Sequence, residues 1–464
     1  MGGKNLIIQI YGRNDYQNVK YYFENKIFEK RLISEVICEY LGDGDLYFLV
    51  PESLLLIDNP AAQGIDNETL LRLINDKQGF IEYFNKKIES QLVNKNLINK
   101  VKIIRMQSVG EFKSQGGSIQ LKFNNNLDNI SIYLYKDLFS AIPEYDKIFV
   151  DLSTGLNFYS TVIVDAIKNI IVYLKIKNYL KTSKEFYLTF STPIVNNSSV
   201  ILRYPLNAKT FFEFPKNVQF KNILKFSEIE DNSNKQKLGK EISNNFRDEI
   251  KNLEDIFYHT KIGFNAIRFN TPLVFYTSIL NIIKNNNEMD IINHIFEILN
   301  FIENKKEIKN FGSIIEINRY KLDSVYMMNI FIIISIFSLI KKIIEGSGEN
   351  TLNNIQKYFT KIYDDLNIPI NKIFLNKEIE SIKSLNRISN NWRKLVDIKS
   401  TFNNQNILKN RILKNIKGSY ENRNFLAHSG LEENITYIKK DGENIYLKYN
   451  DSDLEKIKNW LKSL

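Results

Sequence analysis

The sequence is poor in the residues that build disulfides and metal sites. Its 464 residues contain one cysteine, Cys38, and three histidines, His259, His294 and His428. A single cysteine forms neither a disulfide framework nor a cysteine-based zinc site within one chain. The three histidines lie far apart, and none belongs to an HExxH pair. The sequence therefore argues against a histidine-rich metal centre.

A targeting signal and a long uninterrupted apolar run are also missing. The N-terminus has no basic region followed by an apolar one, so we expect no signal peptide. The most apolar stretch, Val325 to Ile340, is shorter than the ~20 residues that span a bilayer, and Asn329, Ser335 and Ser338 interrupt it. We expect a buried core helix there, in a soluble, cytoplasmic protein.

The common phosphate-binding motifs are absent as well. Neither GxGxxG nor GxxxxGK[ST] occurs, which argues against dinucleotide-binding enzymes and P-loop NTPases. No cluster of carboxylates suited to a two-metal nuclease stands out. The composition, 43% hydrophobic and 25% charged, is that of a globular protein, and the net charge of +10 is compatible with a nucleic-acid partner.

Residues 1–206 alternate between short apolar runs and longer segments of helical period. This alternation predicts an α/β, Rossmann-like domain with a mainly parallel sheet. Strands are predicted at Leu6–Tyr11, Leu46–Val50, Val101–Met106, Lys147–Leu152, Phe186–Phe190 and Val200–Tyr204. The clearest predicted helices are Lys30–Leu41, Glu68–Leu92 and Leu156–Ile176.

The remainder of the chain is dominated by helical periods. Residues 207–270 are predicted to connect the first domain to an all-α domain at 271–464, with a polar loop at Asp231–Asn234. A β-hairpin is predicted near the end, with strands on either side of an Asp441-Gly442 turn. Helices are predicted at Lys235–Leu253, Pro272–Lys284, Asp290–Ile302, Tyr320–Ile344 and Ile382–Lys399.

Three loops of the first domain have the chemistry of a ligand site, and one of them is Gln107-Ser108-Val109-Gly110 after the third strand. Ligands bind beyond the carboxyl ends of parallel strands. The first strand is followed by Tyr11-Gly12-Arg13-Asn14, and the fourth by Asp151-Leu152-Ser153-Thr154-Gly155-Leu156-Asn157. Backbone N–H groups exposed at the start of a helix, with hydroxyl groups nearby, favour an anion. The alternative is that Ser153 or Thr154 only caps that helix.

The segment from Glu421 to Gly430 is the sharpest feature of the C-terminal half. Asn424 and His428 are four residues apart and share a helix face, whereas Arg423 lies roughly 140° around the helix from His428. Two copies of this helix end, facing each other, would place two imidazoles and two guanidiniums around one phosphodiester. The alternative is a chance pair of a surface arginine and a helical histidine.

These groups suit metal-free cleavage of RNA. An imidazole titrates near pH ~6.5 and exchanges protons at neutral pH. A guanidinium binds phosphate with two hydrogen bonds and stabilises charge that develops on it. The RNA 2′-hydroxyl can then act as the nucleophile, and DNA, which lacks this group, should resist.

Both motifs match one family. Arg423-Asn424-x-x-Ala427-His428-x-Gly430 resembles the ribonuclease motif of HEPN domains. The Asp151–Asn157 loop resembles the D-x-[ST]-x-G-x-N loop of CARF domains, which also use the first-strand loop. Together they resemble a CRISPR-associated CARF–HEPN ribonuclease, an ancillary effector of type III systems.

The resemblance implies a homodimer or higher oligomer that cuts single-stranded RNA after binding cyclic oligoadenylate, with cyclic tetra-adenylate favoured. It needs no metal or other cofactor and leaves 2′,3′-cyclic phosphate ends. Many relatives have Thr-His where this chain has Ser153-Thr154, so degradation of the activator is not predicted. The implied catalytic residues are Arg423, Asn424 and His428. The implied activator-binding residues are Gly12, Arg13, Asn14, Ser153, Thr154, Gly155 and Asn157.

Two other functions stay open. In one, the chain is a CARF-type regulator without enzymatic activity, whose basic helical half binds DNA and whose C-terminus only dimerises. In the other, the first domain is itself a nucleotide-processing enzyme. The Arg423/His428 pair argues against the regulator, which needs neither residue.

Most of the excess positive charge lies between residues 381 and 424. This segment contains ten basic residues and two acidic residues, Asp397 and Glu421. A solvated helix face is the usual explanation for such a run. If it lines an RNA path, Trp392 and Tyr420 could stack on bases, although Trp392 also suits a core position. The predicted RNA-binding residues are Arg393, Lys394, Arg411 and Lys414.

Overall fold

The N-terminal half of the computed structural model is an eight-stranded sheet with helices on its faces. The structure describes residues 4–12, 16–57, 66–114, 118–153, 157–216, 232–385, 387–400 and 419–464. The strands of this half are β1 Asn5–Ile10, β2 Val19–Phe23, β3 Lys26–Lys30, β4 Asp45–Pro51, β5 Val101–Met106, β6 Gly110–Lys113, β7 Gln120–Asn124, β8 Lys147–Asp151, β9 Glu185–Ser191 and β10 Ser198–Pro205. The helices are α1 Ile33–Leu41, α2 Leu54–Ile57, α3 Asn67–Asn75, α4 Lys77–Gln91, α5 Leu127–Phe139 and α6 Asn157–Lys177.

The large sheet has the order β3-β2-β10-β9-β8-β1-β4-β5. The five strands β9, β8, β1, β4 and β5 are parallel to their neighbours, whereas β10 runs antiparallel to β9 and β3 antiparallel to β2. Strands β1, β4 and β8 are almost wholly buried, as continuous apolar runs predict for a sheet covered on both faces. The predicted α/β fold with a mainly parallel sheet is confirmed.

Some elements of this half differ from the prediction. The helix predicted at Glu68–Leu92 is two helices, because Asp76 ends α3 and its side chain accepts a hydrogen bond from Gln78 N at the start of α4. The β2–β3 hairpin was not predicted. Its turn places Glu24 and Asn25 at φ of 48° and 64° without a glycine, so the usual turn signal is missing.

The C-terminal half is mainly helical and ends in a small sheet. Its helices are α7 Asn232–Asn245, α8 Arg247–Arg268, α9 Asn281–Asn285, α10 Glu288–Asn304, α11 Ser324–Gly346, α12 Leu352–Asp365, α13 Pro369–Lys383, α14 Leu395–Ser400, α15 Ser419–Ala427 and α16 Asp451–Lys462. Its strands are β11 Glu307–Asn310, β12 Ile314–Asn318, β13 Arg393–Lys394, β14 Thr436–Asp441 and β15 Asn444–Tyr449. The hairpin predicted around Asp441-Gly442 is confirmed as β14–β15.

The apolar helix α11 contains the stretch expected to form a core helix. By length and composition alone it could cross a membrane, but 67% of its most apolar window is buried inside the protein. Buried side chains along it include Phe331, Ile334 and Phe337. They pack in the same core as residues of α5, α6 and α8.

Four predictions for the helical half are wrong. Lys235–Leu253 is not one helix, because α7 ends at Asn245 and α8 begins at Arg247. Pro272–Lys284 is a pair of 3-10 turns, 272–276 and 278–280, before the short α9. Ile382–Lys399 is not one helix, because α13 ends at Lys383 and the chain becomes extended to pair as β13 with β14. The polar stretch at Asp231–Asn234 is not a loop from Asn232 onward, where α7 begins.

A second sheet joins the two halves, in the order β11-β12-β7-β6. Strand β12 pairs parallel with β7, so backbone from residues 314–318 completes a sheet begun by residues 120–124. Leu121, Phe123, Ile315 and Ile317 are buried in it. The predicted domain boundaries stay a prediction, but the halves share a core and are not merely tethered.

Candidate active site and ligand site

Helix α15 and the turn after it place the predicted catalytic side chains at the surface. Arg423, Asn424 and His428 are all exposed, whereas Phe425 is fully buried. The Phe425 ring lies 6.1 Å from the ring of Tyr449 and 5.3 Å from that of Trp460. The buried side of the helix therefore anchors it to β15 and α16, and the predicted catalytic side chains face solvent.

The helix ends in a tight left-handed turn directly after His428. Ser429 and Gly430 have φ of 55° and 72°, and Gly430 N donates to Phe425 O at 2.9 Å. A Cβ at Gly430 would lie 2.9 Å from both Thr271 Cβ and Tyr449 Oη. Glycine is thus required by its φ and by the close approach, which explains why it follows the histidine.

A buried network of neutral hydrogen bonds holds this turn. Asn270 Nδ2 donates to Ser429 Oγ at 2.7 Å and to the carbonyl of Asn371 at 3.0 Å. Tyr449 Oη donates to the carbonyl of Gly430 at 2.7 Å. Ser429, Asn270 and Asn371 are all buried, so the turn after His428 is fixed from three separate parts of the helical half.

A carboxylate orients the histidine. His428 Nδ1 lies 3.2 Å from Glu378 Oε1 on α13, and the Glu378 side chain is 17% exposed against 49% for His428. A carboxylate at Nδ1 favours the tautomer that leaves Nε2 free for proton transfer. The sequence analysis missed Glu378, because 50 residues separate it from His428 and no motif connects them.

The polar groups of this turn suit acid–base chemistry. Across the described residues, no three or more His, Cys, Asp or Glu side chains are grouped so that they could hold a metal ion. Arg423 is exposed on α15, the helix that ends at the histidine. The turn therefore offers an imidazole and a guanidinium to a substrate phosphate from solvent.

At the other end of the chain, the loop after β8 is built on a buried acid. Asp151 Oδ1 accepts hydrogen bonds from Ser153 Oγ at 2.6 Å and Thr189 Oγ1 at 3.4 Å. Ser153 Oγ in turn accepts from Ser191 N at 2.7 Å. Asp151 Oδ2 is buried without a hydrogen-bond partner among the described residues. Burial raises the pKa of Asp151 to about 7.

The predicted ligand loops after β1 and β8 follow neighbouring strands of the sheet. Strands β1 and β8 are parallel and place Gln9 opposite Asp151, so Gly12 and Ser153 emerge at one edge of the sheet. Gly12 N donates to Tyr16 Oη at 3.0 Å. Four predicted ligand residues and one side chain lie outside the described residues: Arg13, Asn14, Thr154, Gly155 and the side chain of Asn157.

Of the predicted RNA-binding residues, the structure places two. Arg393 and Lys394 form β13. Arg411 and Lys414, and the side chain of Tyr420, are beyond the described residues. Elsewhere in the basic run, Lys399 Nζ lies 3.6 Å from Glu433 Oε2, so its charge is partly balanced.

Two family models match the chain. One, described as CRISPR system endoribonuclease Csx1, CARF domain, matches residues 6–193. The other, described as CRISPR system endoribonuclease Csx1, HEPN domain, matches residues 369–451. Together they cover more than half of the sequence. The chain belongs to the CARF–HEPN ribonucleases of CRISPR systems. No curated protein matches it.

The family assignment accounts for both sites. The CARF match contains the loops after β1 and β8, and the HEPN match contains Glu378, α15 and the β14–β15 hairpin. A CARF domain followed by a HEPN domain is the arrangement of a ligand-regulated ribonuclease. It therefore favours the enzymatic interpretation over a regulator without activity.

A buried ion cluster connects the CARF sheet to the helical half. Glu52, directly after β4, accepts from Arg105 and Arg319, each with an Nη2–Oε1 distance of 2.7 Å. Arg319 Nε also lies 3.2 Å from Glu303 Oε1 on α10. Burial opposes ionisation of Glu52, but Arg319 and Arg105 hold its pKa below the usual range. Through this cluster, the helical half contacts the CARF sheet at the carboxyl ends of its strands.

Proposed function

We propose that this CARF–HEPN protein is a metal-independent endoribonuclease that cuts single-stranded RNA when cyclic oligoadenylate binds its CARF domain, in the cytoplasm during type III CRISPR defence. The observation that carries the cleavage chemistry is the His428–Glu378 contact of 3.2 Å, directly after the helix that carries exposed Arg423. An exposed, oriented imidazole supplies proton transfer, and an exposed guanidinium stabilises charge on a phosphate, and both are functions that phosphodiester transfer uses.

The proposed reaction uses the RNA itself as nucleophile. An imidazole takes the proton of the 2′-hydroxyl, and the 2′-oxygen attacks the adjacent phosphorus. The bond from phosphorus to the 5′-oxygen breaks, and that oxygen takes a proton from a second group, which acts as the general acid. Arg423 stabilises the charge on the phosphoryl oxygens, and Asn424 donates a hydrogen bond to the phosphate. The products end in a 2′,3′-cyclic phosphate and a 5′-hydroxyl.

We infer that two copies of the HEPN domain form one active site. The reaction needs a base and an acid, and one chain offers a single imidazole at the end of α15. Arg423 and Asn424 occupy neighbouring positions on the exposed part of this helix, open to a facing copy. A homodimer pairs two imidazoles and two guanidiniums across the substrate.

The proposed activator site lies at the carboxyl edge of β1 and β8. Gly12 and Ser153 emerge there side by side, and the start of α6 supplies backbone N–H groups that favour phosphate. The resemblance to CARF domains favours cyclic tetra-adenylate. The Glu52–Arg319 contact connects this edge to the helical half, which supports control of the HEPN site by the bound ligand.

One RNase assay tests the proposal. Wild-type protein and His428→Ala are incubated with single-stranded RNA in EDTA, alone and with tri-, tetra- and hexa-adenylate rings. We expect cleavage by the wild type, strongest with the tetra-adenylate ring, and none by the variant. Cleavage that is unchanged in His428→Ala would exclude the catalytic assignment. Specific duplex DNA binding without RNase activity would favour the regulator.

A further inference from the structure

The outer face of the small C-terminal sheet alternates lysines with aromatic rings. Strand β14 pairs with β13 and β15 so that Tyr437 lies between Lys394 and Lys448. In the next row, Lys439 lies opposite Tyr446. Side chains two residues apart share a face of a strand, which puts Trp392 on the face of Lys394.

The distances confirm that these groups touch. Lys439 Nζ lies 5.4 Å from the centre of the Trp392 ring and 5.1 Å from that of Tyr446. Lys448 Nζ lies 4.7 Å from the Trp392 ring, and Lys394 Nζ lies 5.8 Å from the Tyr437 ring. The six side chains, Trp392, Lys394, Tyr437, Lys439, Tyr446 and Lys448, form what we call the lysine–aromatic face.

The opposite face of the same sheet supports the catalytic turn. Ile438, Leu447 and Tyr449 point inward and are buried, and Tyr449 Oη donates to the carbonyl of Gly430, two residues after His428. The lysine–aromatic face is thus the outer surface of the element that holds the catalytic turn. An RNA strand lying on this face would be attached to the same rigid unit as His428.

The charge on this face suits a polyanion. It carries three lysines, and the carboxylates near it lie at its border. Asp441 Oδ2 is 3.8 Å from Lys439 Nζ, and Glu349 Oε2 accepts from Tyr446 Oη at 3.3 Å. Lysines interleaved with rings match a single strand, whose phosphates take the charges while its unstacked bases stack on the rings. Bases in a duplex are already stacked and cannot use the rings in this way.

We propose that the lysine–aromatic face binds single-stranded RNA next to the cleavage site. The proposal rests on the ribonuclease function proposed above and assigns part of its substrate path. It includes Lys394 from the basic run predicted to bind RNA. Arg393, which pairs opposite buried Ile438, lies on the other side of β13 and is not part of it.

The test separates binding on this face from chemistry at His428. The variant is Lys439→Gln with Lys448→Gln, which removes two charges. The matched control is Lys87→Gln with Lys102→Gln in the CARF half, where each lysine also lies over a tyrosine ring, at 4.5 Å and 5.3 Å. Steady-state cleavage of a 20-nucleotide RNA and of a dinucleotide is measured at saturating activator and several salt concentrations.

We expect KM for the 20-nucleotide RNA to rise roughly ten-fold in Lys439→Gln/Lys448→Gln, with kcat and dinucleotide cleavage within about two-fold of wild type. The slope of log KM against log salt should fall by about 1.4, as the loss of two phosphate contacts predicts for a single strand. The control should leave both values unchanged. An unchanged KM and salt slope, or an equal loss on the dinucleotide, would overturn the proposal.

A second measurement does not depend on cleavage. In a His428→Ala background, fluorescence anisotropy gives the Kd for labelled single-stranded RNA with and without Tyr446→Leu. Loss of one stacking ring should weaken binding about ten-fold, and binding to duplex RNA should not change. Equal affinities with and without Tyr446→Leu would overturn the proposal that the lysine–aromatic face binds RNA, even if the wild type cleaves RNA. An inactive wild type with ring-dependent binding would contradict only the proposed catalytic function.

Discussion

The turn after His428 and the carboxyl edge of the CARF sheet, here called the CARF edge, are held in opposite ways. At the turn, the polar side chains Arg423 and His428 face solvent, and neutral hydrogen bonds from Asn270 and Tyr449 fix the backbone beneath them. At the CARF edge, charged or titratable groups are themselves buried. Asp151 is fully buried, and Arg319 and Glu52 are each 1% exposed at their side chains.

This difference matches the two tasks. Exposed polar side chains on a rigid neutral scaffold can contact an RNA phosphate or a second protein chain directly. They do not have to be buried in the folded protein first. Buried charges are costly unless they are paired, so a change of partner at the CARF edge has a large energetic effect. We therefore expect substitutions at the turn to affect activity, and substitutions at the CARF edge to affect stability.

The largest expected effect is on activity at the turn. His428→Ala should lower the cleavage rate by about 10³-fold or more, because it removes the proton-transfer group. Since His428 is exposed, the free energy of unfolding measured with urea should stay within about 0.5 kcal/mol of wild type. Rates are measured by gel assay with activator present. A comparable loss of stability would place His428 in the scaffold instead.

At the CARF edge we expect the reverse. Glu52→Gln should destabilise the fold by about 3–5 kcal/mol, because Arg319 and Arg105 would lose their buried counter-charge. Urea unfolding measures this loss. The control is Asp364→Asn, whose exposed pair with Lys372 has a distance of 2.7 Å and should contribute about 1 kcal/mol or less. Equal effects of the two substitutions would remove the distinction between the regions.

The buried acid of the CARF loop predicts a pH dependence of stability. The pKa of Asp151 is about 7 in the folded state, above the ordinary value of 3.8. The folded state therefore keeps a proton that the unfolded state has already lost at a lower pH. The contribution of Asp151 is therefore most favourable at low pH and is lost as pH rises towards 7. Between pH 5 and 8, wild type should lose roughly 2–3 kcal/mol relative to Asp151→Asn. A difference that is constant with pH would argue against a buried, protonated Asp151.

The smallest expected effect is that of the orienting carboxylate. Glu378→Gln should slow cleavage roughly 10–100-fold with RNA affinity unchanged, because the histidine keeps its place but loses its preferred tautomer. Glu378→Asp should recover part of the rate. Single-turnover cleavage and RNA binding are measured on the same preparations. Full activity in Glu378→Gln would show that the 3.2 Å contact does not orient the base.

The central sheet and the HEPN motif were recognisable in the sequence because their signals are local. Continuous apolar runs identified β1, β4 and β8, and residue types within one helical turn identified Asn424 and His428. Contacts between distant segments left no such signal. The β7–β12 pairing joins strands almost two hundred residues apart, and the contact between Glu378 and His428 joins residues that are 50 positions apart in the sequence.

Local periodicity was also misleading where tertiary pairing decided the structure. The segment Ile382–Lys399 has a helical period, but pairing with β14 draws residues 393–394 into a strand. The same pairing creates the lysine–aromatic face, whose members come from three separate stretches of sequence. The net charge of +10 was only compatible with a nucleic-acid partner, whereas the strand register placed lysines beside aromatic rings.

The most direct test of the central claim is the chemistry of the product ends. RNA is cleaved in EDTA with activator present, and the fragments are analysed by mass spectrometry. The account predicts 2′,3′-cyclic phosphate on one fragment and a 5′-hydroxyl on the other. Fragments with 5′-phosphate and 3′-hydroxyl ends would show that water attacks the phosphorus, and would contradict it.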